Sequence, residues 1–139
     1  MRILIDTNVI LDVLLRREPF YRDGAKVLNL SKRDNINLFV SASAITDIYY
    51  IANQTLRNKM KIKDLLSKLL KIVSVAGVSE DMIKNALELP WKDFEDSVQY
   101  SVALLQKMDG IVTRNSNDYK EAEIDIWTPE ALLLWLQQV

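Results

Sequence analysis

Asp6, Asp47, Asp96 and Asp118 lie far apart in the chain, each just past an apolar run or in the opening turns of a helical pattern. The sequence contains no His and no Cys. Imidazole bases, Ser-His-Asp triads, zinc deaminase chemistry and thiolate metal sites are therefore excluded. The chemistry left is that of carboxylates. Acids held together repel, so some stay protonated at neutral pH unless a cation compensates. Oxygen-only ligands suit hard divalent ions, Mg²⁺ or Mn²⁺. Such ions generate hydroxide for attack on a phosphodiester and stabilise the leaving oxygen, singly or as a pair about 4 Å apart. Each acid alone has a plainer role. Asp6 can cap a helix, Asp93 and Asp96 have the Ncap-to-N3 spacing of helix-start acids, and Asp47 can face solvent. Their coincidence at one edge of a sheet is what favours a metal centre.

The elements must supply that edge. Arg2 to Ile5 reads as a strand, and Thr7 and Asn8 lead into a helical pattern through Val9, Ile10, Val13 and Leu14. Glu18-Pro19 breaks it, and a second helical pattern carries Ala25, Val27, Leu28 and Leu30. Asn35 to Val40 reads as strand two, and Ser41 or Ser43 caps a long helix through Ala52. A helix over about Lys63 to Leu70 precedes strand three at Ile72 to Val75. Ser79 opens a further helix that Pro90 ends, and Asp93 opens the next. Gly110 suits a helix C′ glycine. Ile111 to Thr113 is strand four, Ile126 and Trp127 are strand five, and Thr128-Pro129 starts a last helix. Strands separated by helices imply right-handed crossovers, an α/β class and a parallel sheet covered on both faces. Ligands of such sheets bind beyond the carboxyl ends of the strands. No GxGxxG or Walker loop is present, and Asp6-Thr7-Asn8 lacks the second aspartate of Asp-x-Asp phosphohydrolases.

Four segments carry a family resemblance. Ile3-Leu4-Ile5-Asp6-Thr7-Asn8-Val9-Ile10-Leu11-Asp12 resembles the first motif of PIN domains, and Ser41-Ala42-Ser43-Ala44-Ile45-Thr46-Asp47-Ile48-Tyr49-Tyr50 the second. Asp93-Phe94-Glu95-Asp96-Ser97-Val98-Gln99 resembles the third, and Ile111-Val112-Thr113-Arg114-Asn115-Ser116-Asn117-Asp118-Tyr119 the fourth. The similarity spans nearly the whole chain, and the four motifs follow in order. It implies a three-layer fold with a central parallel sheet of order 3-2-1-4-5. It also implies a metal-dependent nuclease whose small relatives are commonly VapC-type toxins of toxin–antitoxin pairs. On that resemblance Asp6, Asp47 and Asp96 hold Mg²⁺ or Mn²⁺ with Asp118 as an outer ligand, and Asn8, Thr113 and Asn115 orient the carboxylates. Arg114 is either a contact for a substrate phosphate or a plain surface arginine. Two departures stand out. Asp47 is one methylene shorter than the Glu frequent at its position, and Asn115 stands where many relatives carry Asp. Three acids can hold one ion with several waters, so the number of ions is left open.

Length and charge frame this reading. The 139 residues, 49% hydrophobic and 27% charged, suit one domain spanning 1–139. No apolar run is long enough for a membrane span, and the early Asp6 argues against a signal peptide, so a cytoplasmic protein is expected. The net charge of −1 hides an asymmetry: residues 1–71 hold 13 Lys/Arg against 7 Asp/Glu, and residues 72–139 hold 5 against 12. Lys59, Lys61 and Lys63 belong to a basic run that is either a solvated helix face or a track for RNA phosphates. The helix after Ser43 carries more apolar surface than one buried stripe needs, which suggests a homodimer or an antitoxin groove. The functional expectation is a divalent-metal-dependent endoribonuclease with an RNA substrate. The alternative is a catalytically weak PIN-like module that binds RNA or protein.

Overall fold

The computed structural model describes residues 1–119 and 121–139. Its elements run β1 (Arg2–Ile5), α1 (Thr7–Leu14), α2 (Tyr21–Asn29), β2 (Asn37–Ser41), α3 (Ala42–Leu56), α4 (Lys59–Leu69) and β3 (Ser74–Ala76). They continue α5 (Glu80–Glu88), α6 (Phe94–Leu105), β4 (Gly110–Val112), β5 (Asp125–Trp127) and α7 (Pro129–Gln137). Two short 3₁₀ turns cover Leu30–Lys32 and Ser116–Tyr119. All strand pairs are parallel and the order is β3-β2-β1-β4-β5, the order expected from the motifs. Ile3 pairs with both Leu38 and Gly110, so β1 lies at the centre.

Period-two alternation along the strands sorts side chains into two cores. Ile3, Ile5, Leu38, Val40 and Val112 join one cluster with residues of α1, α2, α3, α4 and α7. Leu4, Ile111 and Ala76 join the other with Ala86 of α5 and Val98, Val102 and Ala103 of α6. Helices thus cover both faces. Among the described residues, no helix is long and apolar enough to cross a membrane.

Side-chain caps fix most of the helix starts. Ser41 accepts from Ala44 N at 3.2 Å, Asp93 from Asp96 N at 3.1 Å and Thr128 from Ala131 N at 3.2 Å, with Pro129 in the first turn. Asn58 accepts from Lys61 N and starts α4 at Lys59, one turn earlier than its apolar pattern suggests. Strand three is Ser74–Ala76 rather than 72–75, because Ile72 and Val73 still bond back to Leu69. Gly110 is not a helix cap. The helix before it ends at Leu105 and turns through Lys107 at φ 57°, while Gly110 is the first residue of β4. Its lack of a side chain serves packing instead: a Cβ there would strike the Trp127 ring and stand 2.5 Å from the Asp125 carbonyl oxygen.

Candidate functional site

The exit of β1 places Asp6 at the carboxyl edge of the sheet, and its carboxylate is buried. Four donors reach it. Thr7 N and Gln99 Nε2 donate to Oδ1 at 2.7 and 3.2 Å, and Thr113 Oγ1 and Tyr119 OH donate to Oδ2 at 2.8 and 3.3 Å. These donors come from α1, α6, the exit of β4 and the 3₁₀ turn beyond it. A carboxylate so held is fixed in orientation. Thr113 is itself held, its Oγ1 accepting from Asn115 N at 3.1 Å. The side chain of Asn115 is exposed, so its link to Asp6 runs through its backbone.

Tyr119 joins Asp6 to Asp96. The residue is 1% exposed, and its hydroxyl also lies 3.3 Å from Asp96 Oδ1. Burial and the two facing carboxylates push the phenol upward, so it remains a donor at any working pH. Asp96 is pushed up to about 7 by burial first, then by the charges of Asp93, Asp6 and Asp118, while the Tyr119 bond pulls the other way. Glu95, in the same first turn of α6, is raised by burial and then by Asp47, Asp6 and Asp93, with a hydrogen bond toward Asp47. Asp47, in the second turn of α3, therefore meets the site through Glu95, and Asp118 meets it through Asp96. Among the described residues, no three of these carboxylates converge on one point at ligand distance.

The donor set fits a hard divalent ion. Every candidate ligand is oxygen, and the raised Asp96 and Glu95 mark an excess of negative charge that a cation relieves. An ion would have to draw the rim acids inward onto the fixed Asp6.

Other predicted residues fall into place differently. Asn8 Oδ1 accepts from Arg114 N at 3.3 Å, so it steadies the chain leaving β4 rather than a carboxylate. The Arg114 side chain is turned onto Asp12, with Nε 2.9 Å from Oδ2 and Nη2 donating to Oδ1 at 3.3 Å, and its guanidinium stacks 4.0 Å over Phe20. A phosphate contact would have to share that guanidinium with a buried partner. Asp12 is 1% exposed and raised by burial, with Arg114 and Arg17 pulling it back. Lys59, Lys61 and Lys63 are exposed on α4.

Gln99, Tyr119, Glu95 and Asp12 were not singled out by residue spacing. Gln99 had a signal: it lies three residues after Asp96 in α6, a polar side chain between the apolar Val98 and Val102. Its Oε1 is buried without a hydrogen-bond partner.

A family model for the PIN domain matches residues 2–117. Among curated proteins none matches the sequence. Similar solved structures include VapBC2 from Rickettsia felis bound to a DNA fragment from its promoter, with 16% identity, a TM-score of 0.69, and 91% of this chain and 99% of that one covered. VapC20 of Mycobacterium tuberculosis, a sarcin–ricin loop cleaving toxin, is 14% identical at a TM-score of 0.68, with 88% and 96% covered. A toxin–antitoxin complex from Klebsiella pneumoniae is 20% identical at 0.66, with 91% and 96% covered. At these identities the likeness is one of fold. The chain belongs to the PIN domain family.

Proposed function

We propose that this PIN domain, a single unit over residues 1–139, is a divalent-metal-dependent endoribonuclease, the toxin of a toxin–antitoxin pair. One observation carries the reading: Asp6, held by four donors, is joined through the buried Tyr119 hydroxyl to a second carboxylate, Asp96. Stability alone gives no reason to keep such a pair, since burying acids beside one another is costly. A site that loads a cation gives one.

Asp6, Asp47 and Asp96 would hold Mg²⁺ or Mn²⁺, with Asp118 at the outer edge. Such an ion, when bound, supplies an activated water and charge neutralisation at a phosphodiester. The chain's own residues do the rest. Thr7, Gln99, Thr113 and Tyr119 keep Asp6 from rotating, which limits the rearrangement an incoming ion requires. Tyr119 keeps its single proton and shares it as a hydrogen bond between Asp6 and Asp96. The α4 lysines at 59, 61 and 63 offer a cationic face to an RNA backbone. The toxin role rests on the similar structures, which include a sarcin–ricin loop cleaving toxin and toxin–antitoxin complexes.

Incubation with a mixed RNA set, with Mg²⁺ or Mn²⁺ against chelator, tests this reading. Cleavage is expected only with the ion, and Asp6→Asn, which removes one charge and keeps the shape, should abolish it. The spread of the rim carboxylates favours the second reading, a module that grips RNA without cutting. RNA binding by wild type and Asp6→Asn alike, with no cleavage under any ion, would establish that reading in place of the first.

A further inference from the structure

Beside the acid centre lies a cleft of about 380 Å³, formed where the α5–α6 connection meets the 3₁₀ turn after β4. Its size falls within the roughly 300–1,000 Å³ usual for small-ligand sites. It shares Asp96 with the acid centre, so whatever fills it stands next to the reacting group. Trp91 lines it and is half-buried. The indole is held in place: it stacks on Tyr100 at 4.7 Å between centroids and 28° between planes, and Tyr119 meets it edge-on at 5.8 Å and 86°. The same Tyr119 bonds to Asp6 and Asp96. A rigid aromatic surface is thereby built into the frame that positions the acids.

The remaining lining fixes what the cleft accepts. Among the described residues, Asp93, Asp118 and Glu121 join Asp96 there, against one cation, Lys92. A phosphate is repelled by such a wall. A flat heteroaromatic ring with outward N–H groups is not: it stacks on the indole and donates to the carboxylates. Guanine alone among the RNA bases presents two adjacent donors, N1–H and the N2 amino group, which match one carboxylate bidentately. Uracil turns two carbonyl oxygens toward the same wall and has only N3–H between them.

We propose that this cleft binds the nucleobase adjoining the scissile phosphate, with Trp91 as the stacking surface and Asp93 and Glu121 as acceptors that select guanine. The proposal rests on the nuclease reading for its reacting phosphate, and the test separates the two.

The substrates are oligouridylate nonamers with and without one central guanosine, assayed for Mg²⁺- or Mn²⁺-dependent cleavage and for quenching of tryptophan fluorescence. Wild type should cut beside the guanosine about tenfold or more faster than within plain oligouridylate. Trp91→Ala should lose roughly 5- to 150-fold, seen in KM, as expected for removing one base stack. Glu121→Gln alters an exposed side chain and leaves the aromatic frame whole, so it should erase the guanine preference without moving the melting temperature. Cleavage at every base alike, unchanged in both variants, would overturn the cleft proposal and leave the nuclease reading intact. Guanosine-dependent quenching without any cleavage, lost in Trp91→Phe and Glu121→Gln, would support the cleft and sink the nuclease reading.

Discussion

Tyr119 has one phenolic proton and two carboxylate oxygens at 3.3 Å to serve. Below pH 7 Asp96 carries a proton of its own and both contacts can be made; above it one contact must fail. The folded-state pKa of Asp96 lies above its unfolded value of 3.8. Its contribution to stability is thus complete below pH 3.8 and disappears as pH rises through about 7. In chelator, the wild-type melting temperature should therefore fall more between pH 5 and 8 than that of Asp96→Asn, which cannot ionise there. Excess Mg²⁺ or Mn²⁺ at pH 8 should recover the difference for wild type and leave Asp96→Asn nearly unmoved. Scanning fluorimetry of both proteins at the two pH values measures this; parallel curves for the two would refute it. Much of this centre is legible in the chain: Asp6 follows a strand, and Asp93 and Asp96 open a helix. Tyr119 and Asp12 were not legible as site residues. Tyr119 reaches Asp6 across 113 positions and Asp12 reaches Arg114 across 102, so both pairings depend on how the sheet closes.

At the level of elements, the short strand β4 leads directly into Thr113 of the site, and one glycine lets it meet β5. Gly110 pairs with Ile3 on one side and Asp125 on the other, under the ring of Trp127. Neither obstacle to a Cβ is the end of a flexible chain, so Gly110→Ala must push β5 away from β4 or twist the indole. The expected cost is about 1–3 kcal/mol, the usual range for overpacking a filled core. Urea unfolding followed by tryptophan fluorescence reads it directly, and a loss under about 0.5 kcal/mol, the scatter of a surface change, would contradict the packing account. Because Thr113 follows this strand and donates to Asp6, the variant should also weaken any divalent-ion stabilisation. The sequence patterns locate every strand and the main helix starts because apolar runs and caps are local signals. They misplace Gly110 because the demand for a bare Cα comes from Trp127, seventeen residues on, and the left-handed turn went to Lys107 instead.

Over the whole molecule, charge and exposed apolar surface divide unequally. Residues 1–71 hold six more Lys/Arg than Asp/Glu, and residues 72–139 hold seven fewer. Lys59, Lys61 and Lys63 are exposed on α4, while Lys68 is paired with Asp64 at 3.0 Å. Replacing the three exposed lysines by Ala should raise the RNA concentration for half-maximal cleavage and flatten its salt dependence by up to roughly 2 in logarithmic slope, at about 0.7 per single-strand phosphate contact. The saturated rate should stay nearly constant, and a change confined to that rate would assign these lysines to chemistry instead. The apolar excess of α3 is narrower than its sequence suggests. Ala44, Ile48 and Ala52 are buried, and Ile45, Tyr49 and Ile51 are partly covered by the same core. Tyr50 is left 66% exposed, edge-on to Tyr49 at 5.6 Å, with Met60 and Leu70 of the neighbouring α4 region also exposed. An exposed aromatic is the kind of side chain that interface centres favour, and a two-fold pair would bury it against its own copy. We expect a homodimer at micromolar concentration that Tyr50→Asp splits, because a carboxylate at the centre of a dry patch meets its own image. Sedimentation equilibrium of both proteins decides it: a wild-type monomer across the micromolar range would leave Tyr50 as ordinary surface, and a variant that still dimerises would move the interface elsewhere.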